Sequence, residues 1–154
     1  MKKFIIIAMI LFCCKDSNAT SSTQTCSIER VKDGDTVSLS CGSKFNKEIK
    51  TVRLLGIDCP ETSRNAKCRK EADCEEQIPK GLKAKARMKE LLTSTVTYQY
   101  VKKDVYKRDL GYVYDSNGND VGLVLLKENL CKDYSYKYPH PKMEEYKNAS
   151  KNNR

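Results

Sequence analysis

The sequence predicts an α+β domain, mainly β, in which five short strands and one helix between the third and fourth suit a small closed barrel. Three observations carry this reading. Short runs that alternate apolar and polar residues recur along the chain, as half-buried strands require. Asp33-Gly34 and Asn117-Gly118 are tight-turn signals. The stretch opening at Ile78-Pro79 carries helical rather than strand spacing. A length of 154 residues suits one domain. Composition alone leaves the barrel as one option among several α+β folds.

Taken in order, residues 27–31 and 37–40 form a first hairpin around Asp33-Gly34-Asp35-Thr36. Residues 42–48 are a polar turn, and 49–57 a third strand rich in β-formers. A period of two places Arg53, Leu55 and Ile57 on one face and Leu54 and Gly56 on the other, until Pro60 ends regular pairing. Residues 63–77 are charged, lack apolar periodicity and hold two cysteines, which reads as a stapled surface loop. A helix follows from Ile78-Pro79 to about Thr93, with proline in its first turn and Leu82, Ala86, Leu91 and Leu92 as the apolar stripe. Its lysines and Arg87 form a solvated face. Residues 96–101 and 110–114 are the fourth and fifth strands, joined by a charged turn over 104–109. Asp120 caps a short helix over 121–128, with Val121, Val124 and Leu125 inward. Residues 130–138 are tyrosine-rich and partly extended, and the tail over 140–154 reads as one polar helix with frayed last residues.

The N-terminus predicts export. Lys2 and Lys3 precede an apolar run over 4–12 and a small-x-small site at Ser17-Asn18-Ala19, so 1–19 reads as a secretory signal peptide and 20–154 as the mature domain. The apolar run is too short to span a bilayer as a stable helix. Lipid anchoring through Cys13 or Cys14 is the alternative, although the preceding residue, Phe12 or Cys13, is not the small one such sites prefer. Removing 1–19 takes away three lysines and one aspartate, which lowers the formal charge from +9 to +7. A basic chain suits an anionic partner, since clustered Lys and Arg release counterions from a phosphate backbone.

The same cleavage leaves Cys26, Cys41, Cys59, Cys68, Cys74 and Cys131, an even set that argues for disulfides in a secreted or periplasmic protein. Sequence does not choose among the pairings. Cys26 and Cys41 bracket the first hairpin, Cys68 and Cys74 bracket a short polar segment, and Cys59 with Cys131 remains. A single histidine and no paired C-x-x-C spacing argue against zinc.

Asp35, Asp58 and Glu61 lie at predicted strand exits with Arg53, a combination suited to a hard cation and a phosphate. Asp33-Gly34-Asp35-Thr36-Val37, then Arg53 to Thr62 with its Gly56-Ile57-Asp58-Cys59-Pro60-Glu61 core, then Tyr106-Lys107-Arg108, resemble the ordered motif blocks of the thermonuclease (staphylococcal nuclease) family. The resemblance spans residues 28–138. It implies an OB-type five-stranded barrel with about three helices packed against it, a scaffold that commonly binds oligonucleotides.

It also implies a monomeric calcium-dependent endonuclease acting on DNA and RNA with little sequence preference and leaving 3′-phosphate ends, with no stable protein partner. By the same resemblance, Asp35, Asp58 and the Cys59 carbonyl hold Ca2+, with Asp33 supporting the site from nearby. Arg53 and Arg108 match the catalytic arginines and Glu61 the acid usually cast as general base. Tyr106, Tyr134, Tyr136 and Tyr138 are candidate base contacts, since aromatic faces stack on bases. Two departures stand out: Cys59 occupies a position often threonine or alanine, and Lys107 replaces the family's glycine. A non-catalytic nucleic-acid-binding barrel is the competing reading, and a cysteine-rich interaction domain a third.

Overall fold

The computed structural model describes residues 22–151; the signal segment, Cys13 and Cys14, and the last residues of the tail lie outside them. Strands β1 (Thr23–Val31), β2 (Thr36–Ser43), β3 (Asn46–Leu54), β5 (Thr95–Lys103) and β6 (Asp109–Tyr114) close into a barrel in the order β1-β2-β3-β6-β5. All neighbours run antiparallel except β3 and β6, which are parallel. Closure leaves the barrel no free edge. Three helices pack around it: α1 (Cys74–Leu91), α2 (Val121–Lys127) and α3 (Met143–Lys151). The hydrophobic core includes Val37, Leu39, Val52, Leu110 and Val113, each no more than 1% exposed.

The first hairpin register sets Cys26 opposite Cys41, and the two form a disulfide. Cys68–Cys74 and Cys59–Cys131 are the other bridges among the described residues. Asp120 caps α2 as expected, accepting from the Leu123 N–H, but Leu123 and Leu126 are buried there while Val124 is only half-buried.

The third strand stops sooner than its alternation suggests. It ends at Leu54, Gly56 adopts φ +84°, and Ile57–Asp58 form a separate short strand, β4, paired with β7 (Lys132–Asp133). A side chain at position 56 would be strained and would meet the His140 ring and Tyr146, so only glycine turns the chain here. Leu54, Leu55 and Ile57 are all buried as a result, and the two-face pattern fails past Arg53.

Helix α1 begins earlier than Pro79 implies. It starts at Cys74, where the Cys68 bridge fixes the chain and Glu75 and Glu76 suit the positive end of the helix dipole; Pro79 lies inside the helix. Residues 63–77 are therefore not all loop: they contain a 3-10 turn at Cys68–Lys70 and the start of α1.

The buried stripe differs too. Gly81, Ala84 and Met88 face inward, while Leu82 is 51% exposed. Small residues let the helix lie directly on the Pro60–Glu61 backbone, which a side chain at position 81 would strike.

The polar tail is likewise a packed element. Tyr146 and Ala149 of α3 are buried, and Asp120 receives the Tyr146 hydroxyl at 2.9 Å and the Lys142 ammonium at 2.6 Å. His140 is buried beside them, bonded to the Tyr112 hydroxyl at 2.8 Å and Ser135 Oγ at 2.9 Å, and burial holds its pKa below the ordinary value.

Candidate active site

The barrel register builds the centre of the site. Thr36 pairs with Arg53, so Asp35 at the end of the first turn meets the arginine at the end of β3. Asp33 Oδ1 accepts the Asp35 N–H at 3.1 Å and shapes that turn. Arg53 then bridges two acids, with Nη1 to Asp35 Oδ1 and Nη2 to Asp58 Oδ1, each at 2.7 Å. The second oxygen of Asp35 accepts the Cys59 N–H at 3.1 Å. Burial pushes the Asp35 carboxyl up to about 7, against the pull of Arg53 and the Cys59 amide.

Glu61 is joined to this cluster through the stapled segment. Lys67 Nζ lies 2.9 Å from Glu61 Oε1 and 3.4 Å from Asp58 Oδ1, and Asn65 Nδ2 donates to Glu61 Oε2. Burial works against the Lys67 ammonium, but its bonds to Glu61 and Asp58 hold its pKa above the ordinary value. Neither Asn65 nor Lys67 was expected in the site. No local pattern in the sequence marks them, because their place depends on the Cys68–Cys74 turn folding back onto Glu61.

Arg108 belongs to a separate network. Its Nε bonds Asp104 Oδ2 at 2.7 Å, and Asp104 Oδ1 accepts the N–H groups of Tyr106 and Arg108 at 2.8 and 2.9 Å. Burial raises the Asp104 carboxyl and these bonds more than reverse it, leaving the pKa below the ordinary value. Lys107 occupies the left-handed region at φ 63°, so the turn keeps a glycine-like conformation without glycine. Tyr106 is 76% exposed, with its ring 5.4 Å from Arg108 Cζ. The parallel register sets Leu110 beside Arg53, which brings the Arg108 turn to the same end of the barrel.

The other tyrosines cluster edge-on, Tyr134 with Tyr136 at 5.1 Å and with Tyr138 at 6.3 Å between centroids. Tyr134 and Tyr136 line a cleft of about 680 Å³ that also reaches Asp58, Cys59 and Lys67. Tyr138 does not line it; its ring takes the Lys102 ammonium at 5.5 Å.

The donor set fits calcium in kind. Asp35, Asp58 and the Cys59 carbonyl offer hard oxygens, water can complete the shell, and the soft cysteine sulfur is sequestered in its disulfide. Among the described residues no group of three or more His, Cys, Asp or Glu side chains is placed to hold a metal ion, so a cation here depends on two carboxylates, main-chain oxygen and water.

Comparison with known proteins places the chain in a family. Residues 51–154 match the family model described as staphylococcal nuclease homologue. That span includes Arg53, Asp58, Glu61 and Arg108; Asp33 and Asp35 precede it and join the site through the hairpin. The SPbeta prophage-derived endonuclease YokF of Bacillus subtilis (strain 168) is 36% identical over 109 residues, 68% of this chain and 32% of its own length. Endonuclease YncB of the same organism is 35% identical over 109 residues, 68% of this chain and 46% of its own. Endonuclease YhcR, also from that organism, is 33% identical over 123 residues, 77% of this chain and 10% of its own. The chain thus spans less than half the length of each of these relatives. The protein belongs to the staphylococcal nuclease homologue family.

Proposed function

We propose that the protein is a secreted, calcium-dependent endonuclease that hydrolyses phosphodiester bonds of DNA and RNA with little sequence preference. The observation that carries this reading is the Arg53 guanidinium clamped between Asp35 and Asp58 at the barrel end that also presents Arg108. The names of the relatives, all endonucleases, support it. Three disulfides fit an oxidising compartment, as the signal-like residues 1–19 do.

Asp35, Asp58 and the Cys59 carbonyl would hold calcium, which when bound supplies positive charge to the phosphate and orients water. Arg53 and Arg108 bind the non-bridging phosphate oxygens and stabilise the charge that grows as phosphorus becomes five-coordinate. Their carboxylate partners hold both guanidinium groups in place beforehand. Glu61 takes a proton from the attacking water. The new O–P bond forms as the bond to the 5′ oxygen breaks; that oxygen gains a proton and leaves as a hydroxyl, and the phosphate stays on the 3′ side. Exposed Tyr106 and the Tyr134–Tyr136 pair offer stacking faces for neighbouring bases.

The test is hydrolysis of single-stranded and duplex DNA by the oxidised protein, in calcium and in excess chelator, beside an Arg53→Ala, Glu61→Ala double variant. Calcium-dependent cutting that the double variant loses by about ten-thousandfold is expected, since charge stabilisation and general-base catalysis each contribute roughly a hundredfold or more. DNA bound but left intact under every divalent ion would replace the enzyme with a nucleic-acid-binding barrel.

A further inference from the structure

Arg53 accounts for only part of the negative charge in the acid cluster. It takes one oxygen of Asp35 and one of Asp58, leaving Asp58 Oδ2 and all of Glu61 without it. Those groups face Lys67, whose ammonium lies 2.9 Å from Glu61 Oε1 and 3.4 and 3.5 Å from the two oxygens of Asp58. Isolated surface pairs of this kind contribute little, because two long side chains must be ordered in high dielectric. Lys67 differs because its backbone is already fixed.

Asn65 Oδ1 accepts the N–H groups of Lys67 and Cys68 at 2.9 and 2.8 Å. Cys68, the next residue, is fully buried and bonded to Cys74 at the start of α1. The other amide atom of Asn65 holds Glu61. The turn is thus pinned to the acid at one end and to the helix at the other, with Lys67 between.

We propose that Lys67 is a tethered counter-ion of the acid cluster, holding Asp58 and Glu61 until a divalent cation displaces its ammonium, and that it thereby sets the calcium concentration at which the site fills. The idea rests on the calcium-dependent reading above and adds regulation to that site. A calcium ion bound through Asp58 competes for the same oxygens and meets a like charge at contact distance, where repulsion in a partly buried site is strong. The Lys67 side chain is half exposed on the wall of the cleft, so the ammonium can leave without unfolding the turn.

Calcium titration calorimetry without nucleic acid, on wild type, Lys67→Met and Lys67→Arg, tests this. Lys67→Met is expected to bind calcium about tenfold more tightly and Lys67→Arg close to wild type, since the methionine keeps the apolar stem and removes the charge. On the wild type alone, reductive methylation read by mass spectrometry should find the Lys67 amine slow in chelator and faster as calcium is added, with its midpoint at the calorimetric dissociation constant. Unchanged or weaker calcium binding by Lys67→Met, or a Lys67 amine indifferent to calcium, overturns the proposal even if wild type binds calcium and cuts DNA. A wild type that neither binds calcium nor cuts DNA removes the functional reading and this proposal together.

Discussion

Arg53 and Arg108 sit at one end of the barrel and are held in opposite ways. Arg53 ends a strand and is fixed by tertiary partners: Asp35 from the first hairpin and Asp58 from β4. Arg108 follows a tight turn and is fixed locally by Asp104, four residues earlier, which also takes two backbone N–H groups of the same turn. The Arg53 side chain is 13% exposed and that of Arg108 29%. A guanidinium clamped from two distant segments couples the site to the whole fold. One clamped within a turn can be tuned without disturbing the barrel.

The sharpest way to break this contrast is Arg53→Met. It should lower cleavage at least about a hundredfold and also destabilise the fold by about 3 kcal/mol above pH 7, because two carboxylates, one of them buried, lose their partner. The stability loss should depend on pH. Asp35 already titrates near 7, above its ordinary 3.8, so the stability it contributes is fully present below about 3.8 and is lost as pH rises through about 7. Without Arg53 its pKa rises further, so urea denaturation at pH 6 and pH 9 should find the gap from wild type wider at pH 9.

Arg108→Ala should cost activity on a similar scale, about a hundredfold, while shifting the urea midpoint far less, since Asp104 keeps its two backbone partners. A large loss of stability there would show that Arg108, like Arg53, ties distant parts of the fold together. Asp104→Asn is the intermediate case: the amide keeps one acceptor but loses the charge that aligns Arg108. About a tenfold fall in turnover, with little change in melting temperature, would mark a positioning role. Smallest is Lys107→Gly, which relieves a left-handed residue and should raise stability by up to about 1 kcal/mol, read as a modest rise in melting temperature.

The contrast also explains what could be read from the sequence. Asp33, Asp35 and Arg53 were legible because an Asp-Gly turn and an alternating strand fix where side chains go within a few residues. The pairing of the cysteines was not fixed by the sequence: two pairs bracket short segments and Cys59 with Cys131 was only what remained, whereas the structure sets Cys26 and Cys41 opposite each other in register and bridges all three pairs. Lys67 and Asn65 were not legible, since their roles depend on a disulfide turn folding back onto Glu61, and nothing in their local pattern marks it. The buried face of α1 departs from its large apolar residues because contact with the Pro60–Glu61 backbone selects Gly81 and the close approach of Gly34 selects Ala84. His140 and Tyr146 looked like parts of a polar tail, and only the placement of α2 and Gly56 shows them to be core.

The parallel pairing of β3 with β6 has a consequence for how the molecule comes to be active. Hairpins such as β2–β3 form between neighbours, but Leu110 reaches Arg53 only after α1 and β5 have intervened in the chain. Closing that long a loop before any reward is the slow kind of step in folding. The Asp35–Arg53 half of the site can therefore assemble early, while Arg108 and the Asp58 strand, which pairs with β7, wait on long-range contacts, so competence to cut should appear together with barrel closure. Stopped-flow refolding would then show the gain of activity trailing the first rise in β signal.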